Sequence, residues 1–305
     1  MKKAFLSVVI PTLNRRRYVM QCLREVVGQA REFSDVEIIV VDNASTDDTK
    51  EAVAAFINEI SPLNVICRYV YEPDKGSNRT RNRGCAAAVG EAIALLDDDA
   101  VPHPRWVALL REHFINRKSD CVAGRVELAL EAELPEWFPD NPDLLEIFGK
   151  SVHWGNETRF LKKGDRYPQS NNCAFTAEVF KALGGFNPDS LIYGDETEFF
   201  RRAGAMNFSF MYRHDIVVDH YVPPARLTKE GLYKKGRLWG SGAAFYWLIN
   251  SPPPTASERV KRVLEFAART FYVGCRWCMS PRFDRAYTFN FNRGQLKQLI
   301  KGREK

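Results

Sequence analysis

No stretch of this 305-residue chain reaches the roughly 18 uncharged apolar residues that a membrane-spanning helix needs. Internal repeats and long low-complexity tracts are also lacking. With 45% hydrophobic and 27% charged residues, disorder, a collagen-like helix and a coiled coil are excluded as descriptions of the whole chain. A disulfide framework is missing too: the cysteines at 22, 67, 85, 121, 173, 275 and 278 are an odd, scattered set that suits reduced thiols. Cys275 and Cys278 form a single CxxC, with no second pair to complete a zinc site. Residues 1–17 hold only a short apolar run, broken by Pro11 and Asn14, which reads as a buried first strand rather than a secretory leader. The expectation is a soluble chain, cytoplasmic or peripheral at the inner face of a membrane. Its length suits one large domain or one domain with an appendage.

Charge is distributed unevenly. Residues 226–305 carry 17 Lys and Arg against 5 Asp and Glu, whereas residues 1–225 carry 27 against 33. The acidic part can hold a cation, and the basic part can face an anionic membrane, a phosphorylated substrate or a nucleic acid. Two regions are therefore expected: 1–225, and a basic, mainly helical extension over 226–305.

Apolar runs at 5–10, 36–41, 65–71 and 92–96 read as buried strands. Helical spacing separates them at 18–30, from Asp47 to about Ile60, and at 79–89; a further helix spans 104–114. This alternation predicts an α/β fold with a mostly parallel sheet, whose ligands lie at the carboxyl ends of the strands. The middle, 127–170, reads as long loops. Short strands at 208–212 and 216–218, and helices at 176–184, from 196 to 203, at 228–249 and at 256–278, complete the reading. The helix from 228 is expected despite Gly231, Gly236, Gly240 and Gly242.

Two strand ends carry the chemistry. Leu95-Leu96-Asp97-Asp98-Asp99 places three mutually repelling carboxylates after an apolar strand, which calls for a cation or backbone donors in compensation. In an extended chain Asp97 and Asp99 would point the same way, and a hard divalent ion carrying phosphates takes such oxygens. Val40-Val41-Asp42-Asn43 ends a strand before an Asn/Ser/Thr/Asp cluster that forms a turn and helix cap. Capping accounts for Thr46 to Asp48 but not for Asp42.

Together with these, Ser7-Val-Val-Ile-Pro-Thr-Leu-Asn14 and Gly76-Ser-Asn-Arg-Thr-Arg-Asn-Arg-Gly84 resemble family 2 glycosyltransferases. Asn171-Asn-Cys-Ala-Phe-Thr176, Gly184-Gly-Phe-Asn187 and Gly194-Asp-Glu-Thr-Glu198 look like the family's acceptor-side segment. The ordered similarity covers about residues 5–225. It implies the Rossmann-like GT-A fold and an inverting, metal-dependent transfer from a nucleoside-diphosphate sugar, UDP-linked by expectation. The acceptor would be a hydroxyl of a saccharide or glycolipid in cell-surface polysaccharide or glycoconjugate synthesis.

By that resemblance, Pro11, Thr12, Asn14, Asp42 and Asn43 would line the nucleotide pocket, Asp42 holding the base. Arg81 would meet the diphosphate, with Thr80 replacing the family's Ala. Asp97 and Asp98 would approach the ribose or sugar. Asp99 would hold a Mn²⁺ or Mg²⁺ ion with His220 as a second ligand, His214 being the competitor. The catalytic base would come from Asp195-Glu196, a pair whose order is reversed relative to the family's; Glu196 aligns with the base and Asp195 remains the alternative. Tyr193-Gly194 would bend that loop.

Other features leave more than one reading. Trp137, Phe138, Trp154 and Tyr167 suit either a sugar platform or the core. His103 and His113 read as surface positions. The basic, aromatic-bearing helix 256–278 can lie on an anionic membrane or pack on the catalytic domain. A nucleotidyltransferase of similar fold would carry a Gly-rich loop after the first strand, and residues 11–17 contain no glycine. A nucleic-acid-binding protein would leave the acidic strand ends unexplained. An inactive relative that only binds sugar nucleotide is the third alternative.

Overall fold

The computed structural model of the chain describes residues 5–63, 65–162, 165–188, 195–249, 254–279 and 282–301. In chain order the elements are β1 (Leu6–Thr12), α1 (Arg16–Ala30), β2 (Val36–Asp42), α2 (Thr49–Glu59), β3 (Ile66–Tyr71), α3 (Ser77–Ala87), β4 (Ala92–Leu95), β5 (Ala100–Pro102) and α4 (Trp106–Ile115). There follow β6 (Cys121–Leu130), β7 (Arg159–Phe160), β8 (Cys173–Thr176), α5 (Ala177–Leu183), α6 (Asp195–Ala205), β9 (Phe210–Val222), α7 (Lys229–Ile249), α8 (Ala256–Met279) and α9 (Phe283–Lys301).

One sheet runs in the order β3-β2-β1-β4-β8-β6-β9-β5, with β7 added on β9. The first four strands are parallel, as the βα alternation requires, while β8 runs antiparallel to both β4 and β6. Both sheet faces are covered, so β1 and β2 are buried along almost their whole length. The buried polar pair near their starts, Ser7 and Glu37, is satisfied by a mutual hydrogen bond. Period two still sorts their side chains. Val8, Ile10, Ile38 and Val40 pack with α1 and α4. Val9, Ile39 and Val41 face the other way, with Cys85 of α3, Val179 of α5 and Phe199 of α6. Gly84 is what lets α3 approach, because a Cβ there would lie 2.3 Å from Val9 Cγ1.

Residue contacts divide the chain into two units. The first comprises Met1–Ala129, Phe148–Pro188 and Glu196–Tyr221; the second comprises Leu130–Ile147, Asp189–Asp195 and Val222–Lys305. Relative to a boundary at 225/226, the second unit thus also takes in residues 130–147, 189–195 and 222–225. Within it, α7 and α9 cross at backbone distance through Gly240 and Gly294, and Ala244, Leu248, Phe266 and Leu299 form a small core.

Several expected boundaries move. Residues 210–212 of the segment 208–212, and all of 216–218, belong to one 13-residue strand, β9, because its partners continue on both sides of Arg213 to Asp215. The region read as loops begins with the end of β6, which starts at Cys121. Among the described residues, no helix is long and apolar enough to cross a membrane.

Candidate active site

The four parallel strands bring their carboxyl ends side by side, and Thr12, Asp42 and Tyr71 are register neighbours. Two asparagines lace the loops beyond them. Asn14, in the left-handed region at φ 53, accepts from Thr46 N at 2.6 Å and donates its own N–H to Ser45 Oγ at 2.8 Å. One strand over, Asn43 Nδ2 donates to the carbonyls of Glu72 (3.2 Å) and Asp74 (2.8 Å), and its Oδ1 accepts from Gly76 N at 2.8 Å. Buried Asp42 accepts from Ser45 N at 2.9 Å and from the Tyr69 hydroxyl at 2.6 Å. Burial and that bond push the Tyr69 pKa up. Asn14, Asp42 and Asn43 thus use their polar atoms to fasten the loops, as Asp42 and Asn43, being buried, must. Pro11 is half-buried in β1.

The aspartate triplet lies in a turn, since β4 stops at Leu95 and Ala100 N donates to the Asp97 carbonyl at 3.0 Å. The alternation expected of an extended chain therefore does not apply, and the carboxylates divide. Asp98 and Asp99, both buried, share Arg15 Nη1 at 2.8 and 2.7 Å. Asp98 also accepts from Thr12 Oγ1 at 2.7 Å. Asp97 instead faces Arg81 Nη2 at 3.9 Å, and Arg81 is held by Ser170 Oγ at 2.8 Å. Burial raises the pKa of the Asp97 and Asp98 carboxyls; Arg81 opposes this at Asp97 and Arg15 at Asp98. Burial likewise disfavours the Arg15 cation, but Asp98 and Asp99 outweigh it and raise its pKa.

Strand register explains His220. Ala100 of β5 pairs with His220 of β9, and Tyr221 N donates to the Asp99 carbonyl at 2.8 Å. This sets His220 Nε2 3.3 Å from Asp99 Oδ1. His220 Nδ1 lies 2.7 Å from the Phe148 carbonyl, which can only accept, so Nδ1 carries the proton. In the neutral ring the Nε2 lone pair then faces the Asp99 carboxylate. A nitrogen and an oxygen acceptor in that arrangement fit a divalent cation of mixed N/O preference. His214 is engaged elsewhere, with Thr158 Oγ1 at 3.0 Å. Among the described residues, no group of three or more His, Cys, Asp and Glu is arranged to hold a metal ion.

Glu196 is half-buried in the first turn of α6. Burial pushes the pKa of the Cys173 thiol of β8 up, Arg81 lowers it, and Glu196 and Asp97 raise it. Tyr193 and Gly194 lie outside the described residues, as does the Asp195 side chain. Helix α6 is anchored by Arg202, which pairs with Glu198 at 2.7 Å and donates to the carbonyls of Leu183 and Gly185, each at 2.7 Å. Asn82 and Asn78 of α3 tie down the same segment through the backbone of Phe186 and Asn187.

The structure thus gathers Thr12, Arg81, Asp97, Asp98, Asp99 and His220, and adds Arg15, Asn78 and Ser170, which sequence reasoning missed. Arg15 had a signal: it follows Asn14 directly beyond a strand end facing three aspartates. Ser170 had none. Of the arginines in α3 only Arg81 enters the cluster; Arg79 reaches Asp74 at 3.8 Å and Arg83 is exposed. His113, read as a surface position, is fully buried against Ser119. Of the four aromatic residues, Phe138 and Trp154 are buried and Trp137 and Tyr167 half-buried. Trp154 stacks on Tyr212 and Tyr167 packs edge-on to Phe210, while Trp137 and Phe138 cluster with Phe283.

Residues 7–184 match the family profile described as "Glycosyl transferase family 2". Glycosyltransferase AglE of Haloferax volcanii is 28% identical over 246 residues, which is 81% of this chain and 75% of that protein. Among solved structures, the mannosyltransferase PcManGT of Pyrobaculum calidifontis, in complex with GDP-Man and Mn²⁺, superposes with a TM-score of 0.62 at 19% identity. The match covers 99% of this chain and 88% of that one. S. aureus TarS 1–349 in complex with UDP gives 0.57 at 15% identity, over 97% and 91% of the two chains.

Proposed function

Because the chain belongs to glycosyl transferase family 2 and has its GT-A fold, we propose that it is a metal-dependent, inverting glycosyltransferase. It would move a sugar from a nucleoside diphosphate to a hydroxyl of a saccharide or glycolipid, in cell-surface polysaccharide or glycoconjugate synthesis. The observation that carries this reading is the Asp99–His220 pair, 3.3 Å apart, with the ring oriented by the Phe148 carbonyl. Asp99 and His220 would hold the ion, and the donor's phosphate oxygens would complete its shell. When bound, the ion offsets charge growing on the leaving diphosphate.

The chain's own residues do the rest. Arg81, positioned by Ser170 and Asn78, offers a fixed cation to the diphosphate. Thr12 holds Asp98, and Asp97, with a side chain 30% exposed, is the aspartate open to the donor's ribose or sugar. The loops laced by Asn14 and Asn43 frame the base beside Asp42. Glu196 takes the proton from the acceptor hydroxyl as its oxygen bonds to the anomeric carbon; the bond from that carbon to the diphosphate breaks on the opposite face. The configuration inverts. Asp195 is the alternative base.

UDP is the proposed nucleotide, and TarS, solved with UDP, supports it; PcManGT, solved with GDP-Man, makes guanosine donors the necessary comparison. A thermal-shift series with UDP- and GDP-sugars, with and without Mn²⁺, tests the reading. A ligand at 100 times its Kd adds about 2.7 kcal/mol of stability. One sugar nucleotide should stabilise the parent strongly, and only with the ion, while Asp99→Ala should lose that response with its melting temperature little changed. Equal stabilisation of Asp99→Ala would overturn the metal assignment, and retention of configuration in the product would remove the single displacement.

A further inference from the structure

Helix α8 has two apolar faces, and only one of them is used. Its inner face, with Val263 and Phe266, packs on Leu248 of α7 and on Leu296 and Leu299 of α9. Val260, Leu264, Phe271, Cys275 and Cys278 follow one another at helical spacing on a second face that extends for about 28 Å as far as Met279. That face is bare: Leu264 is 65% exposed, Phe271 75% and Met279 77%. Beside it, Phe271, Gly274 and Cys278 of α8 and Phe289 of α9 line an open apolar groove of about 490 Å³. A large residue such as Phe left this open calls for an occupant.

Charge decides which occupant. Lys261, Arg269 and Arg276 of α8 are exposed, Lys261 next to the stripe and the two arginines farther round the helix over Phe266 and Tyr272. The acids on this helix are Glu258 and Glu265. Arg262, which also lies over Trp247 and Phe266, is half-buried and contributes less to this exposed charge. The surrounding 80 residues carry a large excess of Lys and Arg. A second copy of the chain would set this basic flank against itself, whereas a surface of anionic headgroups over hydrocarbon complements both features. We propose that the outer face of α8 docks on an anionic lipid bilayer, lying in the interface with Leu264 and Phe271 buried among the acyl chains. This surface stands independently of the sugar-transfer reading.

The cysteines supply the readout. Cys275 and Cys278 are exposed within the stripe, while Cys22, Cys85, Cys121 and Cys173 are buried and Cys67 is half-buried. The full chain, carrying an environment-sensitive thiol probe at Cys275 and Cys278, is mixed with phosphatidylcholine vesicles with and without phosphatidylglycerol. The probe should shift to the blue and the protein co-sediment only with the anionic vesicles, and high salt should release it. Leu264→Ser with Phe271→Ser should weaken partitioning about tenfold or more. Arg269→Glu with Arg276→Glu should abolish the preference for anionic lipid. Thermal unfolding checks that each variant folds, and transfer to a water-soluble acceptor should be unaffected in both. The proposal is overturned if the parent ignores anionic vesicles at low salt, or if neither double variant weakens binding. It also fails if light scattering shows a dimer that Leu264→Ser with Phe271→Ser converts to monomer without changing vesicle binding.

Discussion

Arg15 and Asp99 are joined at 2.7 Å, and the same guanidinium nitrogen reaches Asp98 at 2.8 Å, so one side chain counters two buried carboxylates. Asp99 divides its oxygens, Oδ2 to Arg15 and Oδ1 towards His220. Without a bound ion, the repulsion within the triplet is offset from the loop between β1 and α1.

Replacing Arg15 by Ala should therefore lower the stability of the ion-free protein. Breaking a buried pair costs about 3–5 kcal/mol. Screening around a side chain that is 35% exposed reduces this to about 1–2 kcal/mol, a fall of a few degrees in melting temperature. Mn²⁺ should raise the melting temperature more in Arg15→Ala than in the parent, because no guanidinium then competes for Asp99. A smaller rise in the variant would contradict competition.

His113 makes stability depend on pH. Burial, reinforced by Arg213, lowers its pKa from 6.5 to about 4. Its Nε2 lies 2.9 Å from Ser119 Oγ, and Nδ1 has no partner among the described residues. The folded state thus keeps the ring neutral, while the unfolded state takes up a proton below pH 6.5. The contribution is fully present above that pH and is lost as pH falls towards 4. Between pH 7.5 and 5 the loss from this group is about 2 kcal/mol. Urea unfolding at the two pH values should show His113→Gln losing less than the parent by about that amount.

The parallel half of the sheet and the place of the aspartates at a strand end were legible because apolar runs ending at Asp42 and Asp97 need only local pattern. The turn that divides the carboxylates was not, since it depends on the Ala100 N–H closing back on Asp97. His220 was singled out by resemblance, but its partner depended on β5–β9 register, which no short-range signal carries. The antiparallel half was harder to read: Arg213 pairs with Asp215 in mid-strand, and that polar stretch interrupts the apolar run of β9. His113 looked exposed because its partner is a serine six residues on, and a histidine is equally ordinary on a helix surface.

The glycines of α7 show a similar limit, since they lower helix propensity while permitting a packing that sequence does not display. A Cβ at Gly240 would lie 1.9 Å from the Phe291 carbonyl oxygen, and one at Gly294 would lie 1.9 Å from that of Arg237. Backbone on both sides leaves nothing to rotate away, so Gly240→Ala should cost about 3 kcal/mol, the upper end for overpacking. Gly294→Ala should cost a similar amount, and the double variant less than both together, because the first change already separates the helices. Gly28→Ala is the control: it lies in the last turn of α1 with nothing within 4 Å, and the change should stabilise by about 0.5–1 kcal/mol. Chemical denaturation of the four variants checks the set.

The proposed base is tested most directly at Glu196. Glutamine keeps the side chain's size and most of its hydrogen bonds but cannot accept a proton at neutral pH. Arg81, Asp97, Asp99 and His220 stay intact in Glu196→Gln, so donor affinity with Mn²⁺ should remain near the parent's. Transfer should fall by the roughly 10²–10⁴-fold that general-base catalysis supplies, appearing in kcat rather than in donor KM. Asp195→Asn separates the two candidates. If Glu196 is the base, Asp195→Asn should cost much less. Near-parental turnover in Glu196→Gln would refute the assignment, and a large loss confined to Asp195→Asn would move the proton transfer one residue back. Losses shared equally by donor binding and turnover would instead mean that the start of α6 positions the donor, so the nucleotide-sugar Kd must be measured beside kcat in both variants.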